Sequence, residues 1–142
     1  MARPAAPSSS SRDKLQRIAS RIAGLVFLGF GVAKFANHDV EVDSFRTYGL
    51  PFPDAFVYLV GTIELVGGAA LLTGIGVRLA APVLAADMVG AIAVSGVAKG
   101  EWISLTLAPV LLVIVVSLWI RRTFAHHLTD VESPAPAGAD SR

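Results

Sequence analysis

Four apolar stretches of about 20 residues each, 17–36, 55–73, 79–98 and 103–120, restrict this 142-residue chain more than any other feature of it. At a rise of about 1.5 Å per residue, an α-helix of that length crosses a hydrocarbon layer of about 30 Å. A helix is also required, because no water is present inside lipid to satisfy backbone N–H and C=O groups. Composition agrees: 54% of residues are hydrophobic and 16% charged, and the mean hydropathy is +0.62, which leaves a soluble fold of this size short of polar surface. The connections at 74–78 and 99–102 are short enough to force antiparallel neighbours. The expected fold is all-α, an integral membrane four-helix bundle running up-down-up-down over residues 17–122.

Outside that domain, residues 1–16 form an expected disordered, basic N-terminal segment that starts rich in Ala, Pro and Ser, and 123–142 an expected disordered tail. The basic stretch from Arg12 to Arg21 ahead of an apolar run superficially resembles a signal peptide. No small-residue cleavage pattern follows, however, and the run continues through Lys34, Phe35 and Ala36. Basic residues also predict orientation. Arg12, Lys14, Arg17, Arg21, Arg78, Arg121 and Arg122 all fall on one side of the four spans. Arg46 and Lys99 face five acidic residues on the other, so both termini are expected in the cytoplasm. Trp102 and Trp119, at the two ends of the last span, suit the interfacial aromatic belts.

The longest connection, Asn37 to Asp54, carries Val42, Phe45 and Tyr48 at a spacing of three, which predicts a short amphipathic helix lying on the membrane as a lid. Gly49-Leu50-Pro51-Phe52-Pro53 breaks it, and Asp54 is the expected N-cap of the second span.

Several chemistries are excluded. A chain without cysteine forms no disulfide, thiolate zinc site or iron–sulfur cluster. His38 lies in the loop and His126 and His127 in the tail, so no pair of them meets as haem ligands, and no metal set is expected. Gly29 with Gly31, and Gly74 with Gly76, do not stand between a strand and a helix as a dinucleotide fingerprint requires. A formal net charge of +1 gives no basic face for nucleic acid.

Three ionisable residues remain at membrane depth, where each costs about 2.5 to 3.5 kcal/mol and needs a partner or a purpose. Glu64 is expected at about 13 Å and Asp87 at about 16 to 18 Å below the outer surface, close to one level, with Lys34 shallower and within reach of Glu64. Small residues share their faces: Gly31 near Lys34, Gly61, Gly67 and Gly68 around Glu64, Gly90 beyond Asp87. These three residues form the expected intramembrane polar site, either as structural glue or as the lining of a cavity. Tyr48 and Tyr58 are candidate supporting donors, and Arg78 is read mainly as a head-group anchor. Span four, without an ionisable residue, is expected only to complete the packing.

The segments Gly31-Val32-Ala33-Lys34-Phe35, Gly49-Leu50-Pro51, Gly61-Thr62-Ile63-Glu64-Leu65-Val66-Gly67-Gly68 and Leu71-Leu72-Thr73-Gly74 leading to Arg78, together with Met88, resemble the DoxX family of small bacterial membrane proteins. Asp87 is not part of that pattern. The resemblance implies a four-helix subunit of the bacterial plasma membrane, linked in some members to thiosulfate oxidation with electron transfer to quinone. It also implies, from a mycobacterial relative, an oxidoreductase complex that handles thiols and oxidative stress. With no intrinsic cofactor, electron transfer here would require a bound quinone or a redox protein partner. Two other functions are carried alongside: a small transporter or proton conductor that uses Glu64 and Asp87, and a non-catalytic scaffold. Contact with the lipid bilayer is expected, and the glycine faces leave room for a homo-oligomer.

Overall fold

The computed structural model describes residues 9–97 and 99–131. It contains α1 (Ser9–Ala36), α2 (His38–Thr47), α3 (Pro53–Thr73), α4 (Val77–Ala91), continued by a wider π-helical segment (Ile92–Val97), and α5 (Trp102–Val131). Four of these helical stretches, Ser10–Ala36, Pro53–Thr73, Val77–Val97 and Ser104–Phe124, are long and apolar enough to span a membrane. They pack as a ring in which α1 touches α3 and α5, and α4 touches α3 and α5, each antiparallel to the next. Leu25, Val32, Leu59, Val66, Leu79, Val83 and Val113 point outward and are exposed, as a lipid-facing surface requires.

The two ends of the chain differ from expectation. Residues 9–16 are helical rather than disordered, and α5 continues through 123–131. Extending an established helix adds one hydrogen bond per residue without a new nucleation cost, and Leu15, Gln16 and Arg17 are good helix formers. The remaining parts of both expected disordered segments, 1–8 and 132–142, lie outside the described residues. The expected amphipathic helix is α2, with Val42 and Phe45 buried against Val57. Asp54, by contrast, is not an N-cap. Phe52 occupies that position in a left-handed conformation (φ 50°), and Pro53, pre-set for the first helical turn, starts α3.

Glycines draw α1 against α3. A Cβ placed on Gly24 would sit 2.8 Å from the Gly68 carbonyl oxygen, and one on Gly68 would sit 2.8 Å from the Gly24 oxygen. Gly31 faces Leu65 and the Gly61 carbonyl, and Gly61 faces Phe35 and Lys34. Across the next interface, Gly67 receives Leu84. Gly90 has no such role: its Cβ position is open, and it borders a cavity instead of a helix. Beneath the glycine contacts lies a core of Ala23, Phe27, Leu71, Leu84, Met88, Leu111, Val115 and Leu118.

Gly68→Ala should therefore separate α1 from α3, costing about 1–3 kcal/mol. Gly90→Ala should be neutral or stabilising by up to about 1 kcal/mol. Parallel unfolding titrations in detergent check both; equal losses for the two variants would contradict the packing described.

Candidate functional site

A cavity of about 540 Å³ opens between the spans at the end of the bundle covered by α2. Its walls are largely apolar, with Phe30 from α1, Phe45 from α2, Phe56 from the first turn of α3, Met88 from α4, and Leu107 and Leu111 from α5. Polar groups enter at two places.

The first is built on the glycine-mediated approach of α1 to α3. Gly61 lets the stem of Lys34 lie against its backbone, which brings the ammonium to Glu64. Lys34 Nζ is 3.2 Å from Glu64 Oε2 and donates a hydrogen bond of 3.4 Å to Oε1. The pair is well shielded, the Glu64 side chain being 4% exposed and that of Lys34 13%. Glu41 of α2 approaches the same ammonium at 3.9 Å. Asp87 lines the cavity from α4, and its Oδ2 is buried without a hydrogen-bond partner among the described residues. Glu64 Oε2 is also without an aligned hydrogen bond, although it lies within ion-pair distance of Lys34.

The second polar cluster joins α2 to the end of the bundle. Tyr48 Oη donates to Glu101 Oε2 at 3.3 Å, and Ser104 Oγ donates to the same oxygen at 2.9 Å. Ser95 Oγ lies 2.7 Å from both Ser104 Oγ and the Ala91 carbonyl, so its single proton serves one of them at a time. The π-helical segment helps to form this cluster: it carries Ser95, and the Glu101 N–H closes back onto the Ser95 carbonyl at 3.1 Å. Burial, the Glu101 carboxylate and the hydrogen bond to it, with Glu41 adding, push the Tyr48 phenol above its ordinary value near 10.

Lys34, Glu64, Asp87 and Tyr48 thus line one cavity. Tyr58 does not: it is exposed and packs in tilted contact against Phe35 and His38, with ring centroids 5.8 and 4.5 Å apart. Arg78 is exposed at the start of α4, at the far end of the bundle. Span four does more than complete the packing, because Ser104, Leu107, Ala108 and Leu111 all face the cavity. Glu101, Ser95 and Ser104 are polar residues that sequence reasoning missed. Glu101 reads there as one more outer-loop charge, and the only pointer to its role is Ser104 three residues on.

Two carboxyls of the first cluster, Glu41 and Glu64, share one ammonium, and Asp87 and Glu101 bring the acidic groups on the cavity's described lining to four. An anionic ligand is therefore opposed here, whereas a neutral ligand with carbonyl oxygens meets donors and apolar walls.

Lys34→Met leaves Glu64 buried without its counter-charge and should cost about 3–5 kcal/mol, much of which the double variant Lys34→Met/Glu64→Leu should restore. A double-mutant cycle measured by unfolding in detergent checks this, and additive losses would contradict it. For Tyr48, a raised folded-state pKa means that the associated stability is complete below about pH 10 and is lost as the pH rises through the higher folded value. Tyr48 and Tyr58 are the chain's two tyrosines, so the alkaline absorbance titration of wild type and Tyr48→Phe resolves them. The step that disappears in the variant should lie above pH 10, the ordinary value of the phenol.

The DoxX family profile matches residues 18–96. An uncharacterized membrane protein of Mycobacterium tuberculosis is 42% identical over 72 residues, covering 50% of this chain and 44% of that protein. CatD of Bacillus subtilis, which bears the provisional name of an oxidoreductase, is 31% identical over 71 residues, covering 50% of this chain and 52% of its own. The chain spans about half the length of these curated relatives. No solved structure matches it. The match extends from the first span to the π-helical turn that carries Ser95, and includes both members of the buried Lys34–Glu64 pair; the chain belongs to the DoxX family.

Proposed function

We propose that this protein is the membrane-anchored, quinone-binding subunit of an oxidoreductase assembly in the bacterial plasma membrane, with both termini on the cytoplasmic side. The observation that carries the proposal is the α2-covered cavity, which combines apolar and aromatic walls with an ammonium donor and several carboxyls. A quinone is neutral and flat, and its carbonyl oxygens accept hydrogen bonds. Reduction to the quinol takes up two electrons and two protons. Lys34 is the group placed to hold one carbonyl oxygen, and Glu64 and Asp87 are the groups placed to pass protons. The electrons come from a redox protein partner that oxidises a thiol or a reduced sulfur compound. An anionic sulfur substrate would react on that partner, because the acidic groups in the cavity repel it. The provisional name of CatD supports the reaction class, and the Lys/Arg distribution supports the orientation.

A second reading, a proton conductor or small transporter that works without a partner, is favoured by the buried Asp87 oxygen that has no hydrogen-bond partner among the described residues.

Purification in mild detergent, followed by solvent extraction, should recover quinone at close to one per chain, together with a redox partner protein. Glu64→Gln, a near-isosteric change that removes a proton-passing carboxyl, should lower the rate of quinone reduction by about a hundred-fold, on the scale of one lost general acid–base group. Proton flux in liposomes containing the purified chain alone would replace the quinone reading with the second. A Glu64→Gln protein that folds and retains full redox activity would reduce the bundle to a scaffold.

A further inference from the structure

At the opposite end of the bundle from the main cavity, a second cleft of about 420 Å³ lies between the start of α1, the last turn of α3 and α5. Three guanidinium groups line it. Arg17 and Arg21 stand four residues apart on one face of α1, and Arg122 comes from α5. None of the three pairs with a carboxylate among the described residues. Asp13 also lines the cleft, leaving an excess of two positive charges on its described lining.

The hydroxyls nearby are already committed. Ser20 Oγ donates to the Leu71 carbonyl at 2.8 Å, and Thr73 Oγ1 donates to the Ala69 carbonyl at 2.8 Å. Arg122 Nη1 donates to the Gly74 carbonyl at 3.3 Å, which offsets the negative end of α3 and leaves its other N–H groups for a ligand. The free donors are thus guanidinium N–H groups and Gln16, a set suited to a phosphate ester and poorly suited to a cation. Leu72 and Leu118 supply an apolar wall beside them.

Depth decides the source of the phosphate. Counted along α1 from Ala36, Arg17 stands about 28 Å away, and along α5 from Trp102, Arg122 stands about 30 Å away. Both positions coincide with the edge of a hydrocarbon layer about 30 Å thick, where phospholipid phosphates lie.

We propose that this cleft binds the phosphate of an anionic phospholipid, held by Arg17, Arg21 and Arg122 at the end of the bundle opposite the α2-covered cavity. The site is independent of what the main cavity binds.

The intact protein, purified in mild detergent, is examined by native mass spectrometry and by thermal unfolding with added cardiolipin, phosphatidylglycerol, phosphatidylcholine or inorganic phosphate. The two anionic lipids should be retained and should raise the melting temperature, whereas phosphatidylcholine and inorganic phosphate should not. Each of Arg17→Gln, Arg21→Gln and Arg122→Gln should lower anionic-lipid retention by about five-fold, and Arg46→Gln, on α2 at the other end of the bundle, should leave it unchanged. Equal stabilisation by phosphatidylcholine would overturn the proposal, as would stabilisation by inorganic phosphate without lipid. So would arginine variants that keep wild-type retention. The wild-type lipid comparison decides the matter even if a variant fails to fold.

Discussion

The close approach of α1 to α3 underlies both the fold and the site. Gly24 and Gly68 meet backbone to backbone with no room for a methyl group on either, and Gly31 and Gly61 repeat the contact farther along the same pair of helices. In a lipid solvent, where burying apolar surface gives no advantage over leaving it exposed, close van der Waals packing of this kind is a principal force holding helices together. The same geometry brings the stem of Lys34 against Gly61 and its ammonium to Glu64. A wider interface would leave two charges at membrane depth without partners, at a cost larger than the packing itself contributes.

From that seam the rest of the cavity follows by addition. Leu84 packing onto Gly67 sets α4, which brings Asp87 and Met88 to the cavity wall. The widened turn at Ile92–Val97 carries Ser95 to Ser104, so α5 joins through side-chain hydrogen bonds as well as apolar contact. α2 closes the end, tied on one side by Glu41 near Lys34 and on the other by Tyr48 on Glu101. The lid is therefore anchored by the polar groups of the two clusters it covers, so any ligand that engages Lys34 or Glu101 competes directly with α2.

The cavity's charge separates the proposed functions more sharply than its size. Four carboxyls against one ammonium on its described lining make it a place for a neutral ligand or for protons. The arginine-lined cleft at the other end has the opposite balance. One small bundle thus presents an acidic interior near α2 and a basic rim at its far end.

Four spans, their antiparallel order and the amphipathic α2 were legible in the sequence, because apolar length and loop length act locally and need no knowledge of neighbours. The pairing of Lys34 with Glu64 was legible too, since both needed a partner at depth. Glu101 was not: a carboxylate in a short loop looks the same whether it faces water or turns inward, and only the π-helical turn and the position of α2 decide which. The glycines show the same division. Gly68 and Gly90 are alike in sequence, each three or four residues from a buried carboxyl, yet one is wedged against a backbone and the other faces open space. Hydropathy determined that this chain spans a membrane four times; tertiary packing alone decided which small residues became contacts and which polar ones became a site, because those outcomes depend on distances between helices that no single segment encodes.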